Sequence, residues 1–476
     1  MQKEYDQVTS KVLEDIKPTP TNRKKMEALA RQLELKVSAA CEEFGVQAIV
    51  RLEGSVAKDT WLKEDPDLDV FIRLSSSIPR ESLGEIALKI ARKALEGAVQ
   101  VERFAEHPYL EGFVDDIRVN IVPCYDAKNG EWLSATDRTP YHTDYINEHL
   151  YKYQRDEVRL LKKFMKGIGV YGAEIKVGGF SGYLCELLIL HYSSFSKVLQ
   201  AFSQHKARRT IDIVGYYEHR QREFELLFPE LLVVIDPVDK SRNVASAVQP
   251  QKLFEFAAAS RTFQKTPDIM FFYPPKTIPF SIDSLNSALD NRGSQMVFLT
   301  LNGIKAVPDV FWGQLHRTRK ALHKLLELSE FKVLKSTAWS KEGGELTVFI
   351  FELEEGNLPL ARKHLGPPLE RETECESFLS KYLENADVLG GPYIEAGRWV
   401  VQVKRKFTDS VELLNAKLKD GGRDVGVAEL LAKAFRVKLA VIVGSEVKEI
   451  YLKDNEFAAF LTNFLCGKPF WLKSNS

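Results

Sequence analysis

In the stretch RLEGSVAKDTWLKEDPDLDVFIRL, Gly54-Ser55 is followed, twelve positions after the serine, by Asp67-Leu68-Asp69. A mostly apolar run from Ala48 to Leu52 ends at the Gly-Ser turn, a short helical segment is expected next, and a second apolar run begins at Leu68. Residues two apart on a strand share a face, so Asp67 and Asp69 point one way while Leu68 and Val70 enter the core. Two carboxylates opposite a Gly-Ser turn suit a site that holds a divalent cation and a triphosphate together. Hard cations such as Mg²⁺ take oxygen ligands, often one or two carboxylates plus substrate phosphates, and the turn lets backbone N–H groups approach a phosphate where a helix starts. The plainer reading, a surface pair on a half-buried strand, is disfavoured because two like charges on one exposed face repel.

The chain has 476 residues, a length that suggests about three domains. Lys+Arg and Asp+Glu are both 66, so the formal net charge is zero and any nucleic-acid surface must be a local patch. The five cysteines (41, 124, 185, 375 and 466) lack metal-ligand spacing, and their odd number argues against a disulfide framework. Nothing at the N-terminus resembles a signal peptide. The longest apolar stretch, Tyr183 to Tyr192, contains Glu186 and is too short to span a membrane. These features lead us to expect a cytoplasmic multidomain enzyme with no membrane contact.

Periodicity predicts a helix over 21–43, strands near 48–52 and 68–74, a helix over 81–96, and strands near 98–105, 112–118 and 119–124. That order makes an α/β head at 1–150. From Asp156 to about Ala201, and again from Leu253 to Phe263, the pattern is helical, giving a neck at 151–270. The Pro-rich stretch 274–279 reads as a linker. Beyond it, MVFLTL, VFWGQLHRTRKALHKLLELSEF, KVLKSTAWS, ELTVFIFEL and RWVVQVKRKF alternate strand and helix. Helices near 408–418 and 427–435 and a strand at 438–443 complete an α+β body and tail at 271–476.

The Gly-Ser and Asp-x-Asp pair resembles the signature of polymerase-β-like nucleotidyltransferases. Further segments are GSVAKDTWL, AEHPYLEG, VPCY, DRTPYH, EVRLLKKFMKGIGVYGAE, GGFSGYLCELLI, DPVDKSRNVA and GPYIEAGRW. They run from about residue 50 to 400 and are similar to the archaeal-type (class I) CCA-adding enzymes, which are tRNA nucleotidyltransferases. The resemblance implies a nucleotidyltransferase head followed by neck, body and tail. It implies untemplated addition of C, C and A to the 3′ end of tRNA from CTP and ATP with Mg²⁺, the acceptor arm lying along the later domains. It also leaves a homodimer open. Residue by residue, it places Asp67 and Asp69 at the metal, and Gly54, Ser55 and Lys58 at the phosphate turn. Thr139 and His142 become nucleotide contacts, Lys162 and Tyr171 triphosphate contacts, and Arg242 a reader of the incoming base.

Each of these residues also has an ordinary structural reading. Lys162 could be a solvated helix lysine, Thr139 could shape the turn before Pro140, His142 could be a satisfied loop histidine, Tyr171 could pack the neck, and Arg242 could pair with Asp239. KVLKSTAWSK, RWVVQVKRKF and HRTRKALHK mix basic and aromatic residues as RNA-tracking surfaces do, though charge runs are commonly solvated faces.

The chain departs from the family pattern at one position. Just before Val-Pro-Cys-Tyr, where the pattern carries a third metal-binding carboxylate, the sequence has Asn120. Asn offers a neutral oxygen, no charge and no base, whereas two-metal phosphoryl transfer clamps the attacking and leaving oxygens. A unit charge about 4 Å from a cation is worth about 4 kcal/mol at an effective dielectric of 20, on the order of a thousandfold in rate. Asp116, four residues earlier on the same face, is expected to be too far along a strand to substitute, and Asp115 to face away. Asn120 therefore reads as an exchange that traps a substrate complex, as a tolerated residue, or as the mark of a catalytically silent tRNA-binding protein. A poly(A)- or oligoadenylate-forming enzyme of the same superfamily is a further alternative.

Overall fold

The computed structural model describes residues 2–104, 106–204 and 208–472. Residues 1, 105, 205–207 and 473–476, the expected end of one head strand at 105 among them, lie outside the described residues. The chain divides into two compact units, one comprising Met1–Pro275 with Pro469–Ser476, the other Lys276–Lys468. The division falls within the expected Pro-rich linker, and the head and neck ranges share the first unit.

The first unit opens with helices α1 (Gln2–Ile16) and α2 (Pro20–Glu43). Thr19 and Asn22 cap α2 reciprocally, and Pro20 starts it where a missing N–H is harmless. Then come β1 (Ala48–Glu53), the one-turn α3 (Gly54–Ala57), β2 (Asp67–Leu74), α4 (Arg80–Ala94), β3 (Val99–Phe104), β4 (Pro108–Val114) and β5 (Ile117–Tyr125). The sheet order is β1-β2-β5-β4-β3, with β2 and β5 parallel and the other pairs antiparallel. Leu68, Val70 and Ile72 of β2 and Val119 and Ile121 of β5 are fully buried in a core with Leu33 and Val37 of α2 and Leu83 and Ile90 of α4. The opposite sheet face carries Asp67, Asp69, Arg118 and Asn120.

The head strands differ from expectation in one region. The segment read as a strand at 112–118 is two strands meeting in a two-residue turn at Asp115-Asp116, both with positive φ (50° and 63°). This is the backbone that right-twisted hairpins favour, and Asp tolerates it better than most residues. Asp116 is thus a turn residue, not a member of the Asn120 strand, and neither it nor Asp115 lies on a strand face.

The head range closes with α5 (Thr139–His149), and the neck range comprises α6 (Gln154–Gly167), α7 (Gly182–Tyr192), α8 (Phe195–Ser203), β6 (Arg209–Ile211), α9 (Gln221–Leu227), β7 (Leu232–Asp236), β8 (Asp239–Asn243) and α10 (Pro250–Lys265). The expected helical neck therefore also contains a small sheet, β6-β7-β8. Its strands are only three to five residues long, too short for periodicity to register. The neck core is aromatic. Phe164 of α6 lies 5.4 to 5.7 Å, ring centre to ring centre, from Phe195, Phe263, Phe271 and Phe272.

The second unit contains α11 (Ile282–Asp290), β9 (Gln295–Asn302), α12 (Pro308–Leu328), β10 (Val333–Ser340), β11 (Leu346–Leu353), β12 (Ala361–Pro368), α13 (Glu372–Tyr382), β13 (Val388–Glu395), β14 (Arg398–Lys404), α14 (Ser410–Leu418), α15 (Glu429–Lys438), β15 (Ala440–Val443), α16 (Lys448–Lys453) and α17 (Asn455–Cys466). Strands β10-β11-β9-β15 form an antiparallel sheet covered on both faces, which is why MVFLTL and LTVFIFEL read as unbroken apolar runs. A smaller sheet, β12-β14-β13, carries α13. In the basic-aromatic stretches, Arg319 and His323 share the Ser336 hydroxyl, and Trp339 packs on Phe457. Arg319, His323 and Trp339 thus have internal partners, while Arg317, Lys320, Lys324, Lys404 and Lys406 are exposed. Among the described residues no helix is long and apolar enough to cross a membrane, and all five cysteines are free.

Because Phe164 is fully buried at the centre of this ring cluster, Phe164→Ala is expected to destabilise the first unit by about 3–5 kcal/mol, measured by urea unfolding followed through far-UV circular dichroism.

Candidate active site

Gly54 joins the two sides of the site. Its φ is +74°, open to glycine at little cost, and a Cβ there would lie 2.1 Å from Asp69 Oδ2. Glycine is thus required both by the turn and by the close approach of the carboxylate. Ser55 Oγ lies 3.4 Å from Asp67 Oδ1 as a weak donor.

Across the sheet, one rung aligns Glu53 of β1, Asp69 of β2, Asn120 of β5 and Glu111 of β4. Asn120 Nδ2 donates to Asp69 Oδ1 at 2.9 Å, while its amide oxygen is buried with no hydrogen-bond partner. Burial, and then the like charge of Asp67, push Asp69 up to about 7. Glu53 is fully buried and is also pushed up to about 7, chiefly by burial. Glu111 is held by Arg103, and Arg118 reaches Asp67 at 3.4 Å. Among the described residues no three His, Cys, Asp or Glu side chains are grouped to hold a metal ion. The available donor set is Asp67, Asp69 and the orphaned amide oxygen of Asn120. All three are oxygen donors, and burial and the Asp67 charge disfavour ionised Asp69 without a cation beside it, so the set fits a hard cation shared with phosphate oxygens.

Helix α6 forms the opposite wall. Arg159, Lys162, Lys163 and Lys166 recur at i, i+3, i+4 and i+7, one face of a helix. All four grip the loop between the Gly-Ser turn and β2. Fully buried Arg159 donates to the Trp61 carbonyl at 3.0 Å and to the Asp59 carboxylate at 2.5 Å. Lys163 reaches Glu64 at 2.7 Å and Lys166 reaches Asp65 at 2.5 Å. Lys162 is buried, not solvated, and donates to Thr60 Oγ1 at 3.0 Å and Glu186 Oε1 at 3.3 Å. Lys58 is also buried and donates to the other Glu186 oxygen at 2.5 Å. Burial would raise Glu186, but the two ammonium groups hold it below the usual carboxylate range. One carboxylate thus serves two lysines, and burial lowers the Lys162 pKa from its ordinary value. Tyr171 lines the same corner as Lys162: a Cβ on Gly182 would meet the Tyr171 hydroxyl at 3.0 Å and Lys162 Nζ at 3.5 Å.

A second cluster sits around Asp236, the last residue of β7. Buried Asp137 accepts from the backbone N–H groups of Tyr125, Leu133 and Ser134, fixing the loop that leads into α5. Thr139 is the first residue of α5, and its carbonyl accepts from Thr143 Oγ1. His142 is on this helix, not in a loop. It lies 2.8 Å from Asp236 Oδ2, and Arg242 of β8 donates to the same oxygen at 2.7 Å. Burial works against its charge, but these partners bring Asp236 down to about 2. It is therefore an acceptor only, and His142 Nε2–H is the donor. Arg242 thus pairs with Asp236. Asp239, the alternative read from sequence, is taken by Arg138 at 2.7 Å.

Three domain families match in series. They are the nucleotidyltransferase domain at 34–149, the second domain of tRNA nucleotidyltransferases at 156–273 and the C-terminal domain of CCA-adding enzymes at 292–440. The chain is 38% identical over 461 residues to the CCA-adding enzyme of Methanosarcina acetivorans, covering 95% of this chain and 97% of that one. It is 36% identical to the Halobacterium salinarum CCA-adding enzyme, covering 95% and 98%, and 32% identical to that of Methanopyrus kandleri, covering 98% of each. The chain belongs to the class I CCA-adding enzyme family.

For this family member, the predicted residues fall into two groups. Gly54, Ser55, Lys58, Asp67, Asp69, Asn120, Lys162 and Tyr171 border the carboxylate corner. Thr139, His142 and Arg242 belong to the α5–β8 side. Sequence reasoning passed over Glu53, Arg159, Tyr183, Glu186 and Asp236. Glu186 had a signal, as a lone acid inside the most apolar stretch of the chain, and so did the basic residues of α6 at helical spacing. Asp236 had none beyond its place in the matched DPVDKSRN.

The raised Asp69 and Glu53 make the metal-free fold favour their protonated forms. In EDTA, the melting temperature should therefore fall as pH rises from the ordinary carboxylate range towards 7 and level off above it. Glu53→Gln should make that slope shallower, and an unchanged slope would remove Glu53 from the effect.

Proposed function

We propose that this chain adds C, C and A to the 3′ end of tRNA from CTP and ATP, without a nucleic-acid template. The observation that carries this reading is the meeting of Lys58 and Lys162, from head and neck, on one buried carboxylate beside Ser55, Asp67 and Asp69. In this reading residues 1–150 are the catalytic head, 151–270 the neck that recognises nucleotide, and 271–476 the body and tail that hold the tRNA acceptor arm.

Ser55, Lys58, Lys162 and Tyr171 seat the triphosphate, with the two lysines around Glu186 compensating its phosphates. Burial keeps the Tyr171 hydroxyl protonated, so it donates. Thr139, His142 and Arg242 face the nucleobase. Mg²⁺ bound by Asp67, Asp69 and the amide oxygen of Asn120 would neutralise phosphate charge and ease loss of the 3′-hydroxyl proton. The 3′-oxygen attacks the α-phosphorus in line, the bond to the β-phosphate breaks, and pyrophosphate leaves. Asn120 can orient Asp69 through its N–H group but cannot accept the hydroxyl proton, so the proton passes to solvent. The same exchange removes one negative charge from the site, which slows turnover.

A paired gel assay on tRNA lacking its CCA end, with CTP, ATP and Mg²⁺, tests this reading. Asn120→Asp is expected to add three nucleotides in order, on the order of a thousandfold faster than the unsubstituted chain. Repeated addition of A alone would point to a poly(A)-type enzyme. Binding of tRNA with no product from the Asp form would make the chain a silent tRNA-binding protein. Equal rates from both forms would mean that two carboxylates suffice.

A further inference from the structure

Helix α7 carries a side chain that touches both clusters. Tyr183 donates its hydroxyl to Asp236 Oδ1 at 3.1 Å, on the carboxylate whose other oxygen binds His142 and Arg242. Its ring stacks on the His142 imidazole with centres 4.0 Å apart and planes 26° from parallel. Lys58 Nζ lies 5.6 Å from the centre of the same ring, within the range of cation–π attraction. Glu186, which holds Lys58 and Lys162, is three residues further along α7, on the same helical face. A single turn of helix thus fixes the acidic partner of the lysines and, through Asp236, the orientation of His142 and Arg242. Ser181 caps that turn, accepting from Leu184 N–H at 3.1 Å.

We propose that Tyr183 is a positioning residue for nucleotide selection, holding the His142–Asp236–Arg242 face in register with the Lys58–Lys162 corner so that base choice and triphosphate seating are coupled. This rests on the reading above, in which those two clusters receive the base and the triphosphate. The hydroxyl aims Asp236 and so sets where the His142 and Arg242 donors point. The ring spaces Lys58 from His142. Burial, followed by Asp236, raises the tyrosine pKa, which keeps the hydroxyl a donor at neutral pH.

The two roles separate by substitution. Tyr183→Phe keeps the ring and removes the hydrogen bond, while Tyr183→Ala removes both. In the Asn120→Asp background, on tRNA ending before CCA and on tRNA lacking only the final A, Tyr183→Phe should narrow the preference for CTP over UTP and for ATP over GTP. The expected narrowing is about five- to tenfold, the size of one hydrogen bond. Inhibition by inorganic tripolyphosphate should be unchanged in Tyr183→Phe and weakened in Tyr183→Ala. The same preferences should appear in equilibrium displacement of a fluorescent nucleotide from the protein–tRNA complex, which needs no turnover.

Unchanged preference in Tyr183→Phe would overturn the proposal. So would equal weakening of all four nucleotides, which is what a purely structural tyrosine gives. A complex that prefers CTP but yields no product in the Asn120→Asp form with Tyr183 intact would count against CCA addition and not against Tyr183.

Discussion

The first unit depends on pairing the basic side chains that α6 and the Gly-Ser loop bury against α7 and one another. Charges removed from water need partners in good geometry, and losing one partner of a buried pair commonly costs about 3–5 kcal/mol. Arg159 meets that demand with the Trp61 carbonyl and the Asp59 carboxylate, and Glu186 meets it for two lysines at once. The loop is therefore held along its whole length by one helix face. This is the physical reason that head and neck behave as one compact unit and that Ser55 and Asp67 face a fixed wall.

Two lysines share one carboxylate at Glu186, and in the proposed reading the phosphates of the incoming nucleotide complete this network. Opposite it, burial and the Asp67 charge push Asp69 up to about 7. In the proposed reading, a basic wall around Glu186 and the carboxylates of Asp67 and Asp69 together receive a metal-bound triphosphate. Asn120 donates to Asp69, where a carboxylate at that position would have repelled it.

Much of this could be read from local pattern. The alternation of Leu68 and Val70 with Asp67 and Asp69 predicted both the strand and its polar face, and α2 and the linker near 274–279 followed from periodicity and proline. Failures came where structure is short or its cause distant. The Asp115-Asp116 turn split a segment read as one strand, because two adjacent positive-φ residues leave no mark on hydrophobic periodicity. The strands around Arg242 were missed because three to five residues cannot establish a period. The structural alternative for Arg242, a pair with Asp239 three residues away, is closed because Arg138, 101 residues from Asp239, takes that carboxylate.

By itself the sequence determined the family, the Gly54-Ser55 turn and the shared face of the two aspartates, since each is written in spacing and residue type along a few positions. Tertiary structure alone decided which charges meet. Lys58 and Glu186 are 128 residues apart, Lys162 and Thr60 102, and Tyr183 and Asp236 53. Many acids and bases along the chain could pair in principle. Packing of α6 and α7 around the Phe164 ring cluster brings only a few of them within hydrogen-bond reach where water is excluded and pairing becomes obligatory.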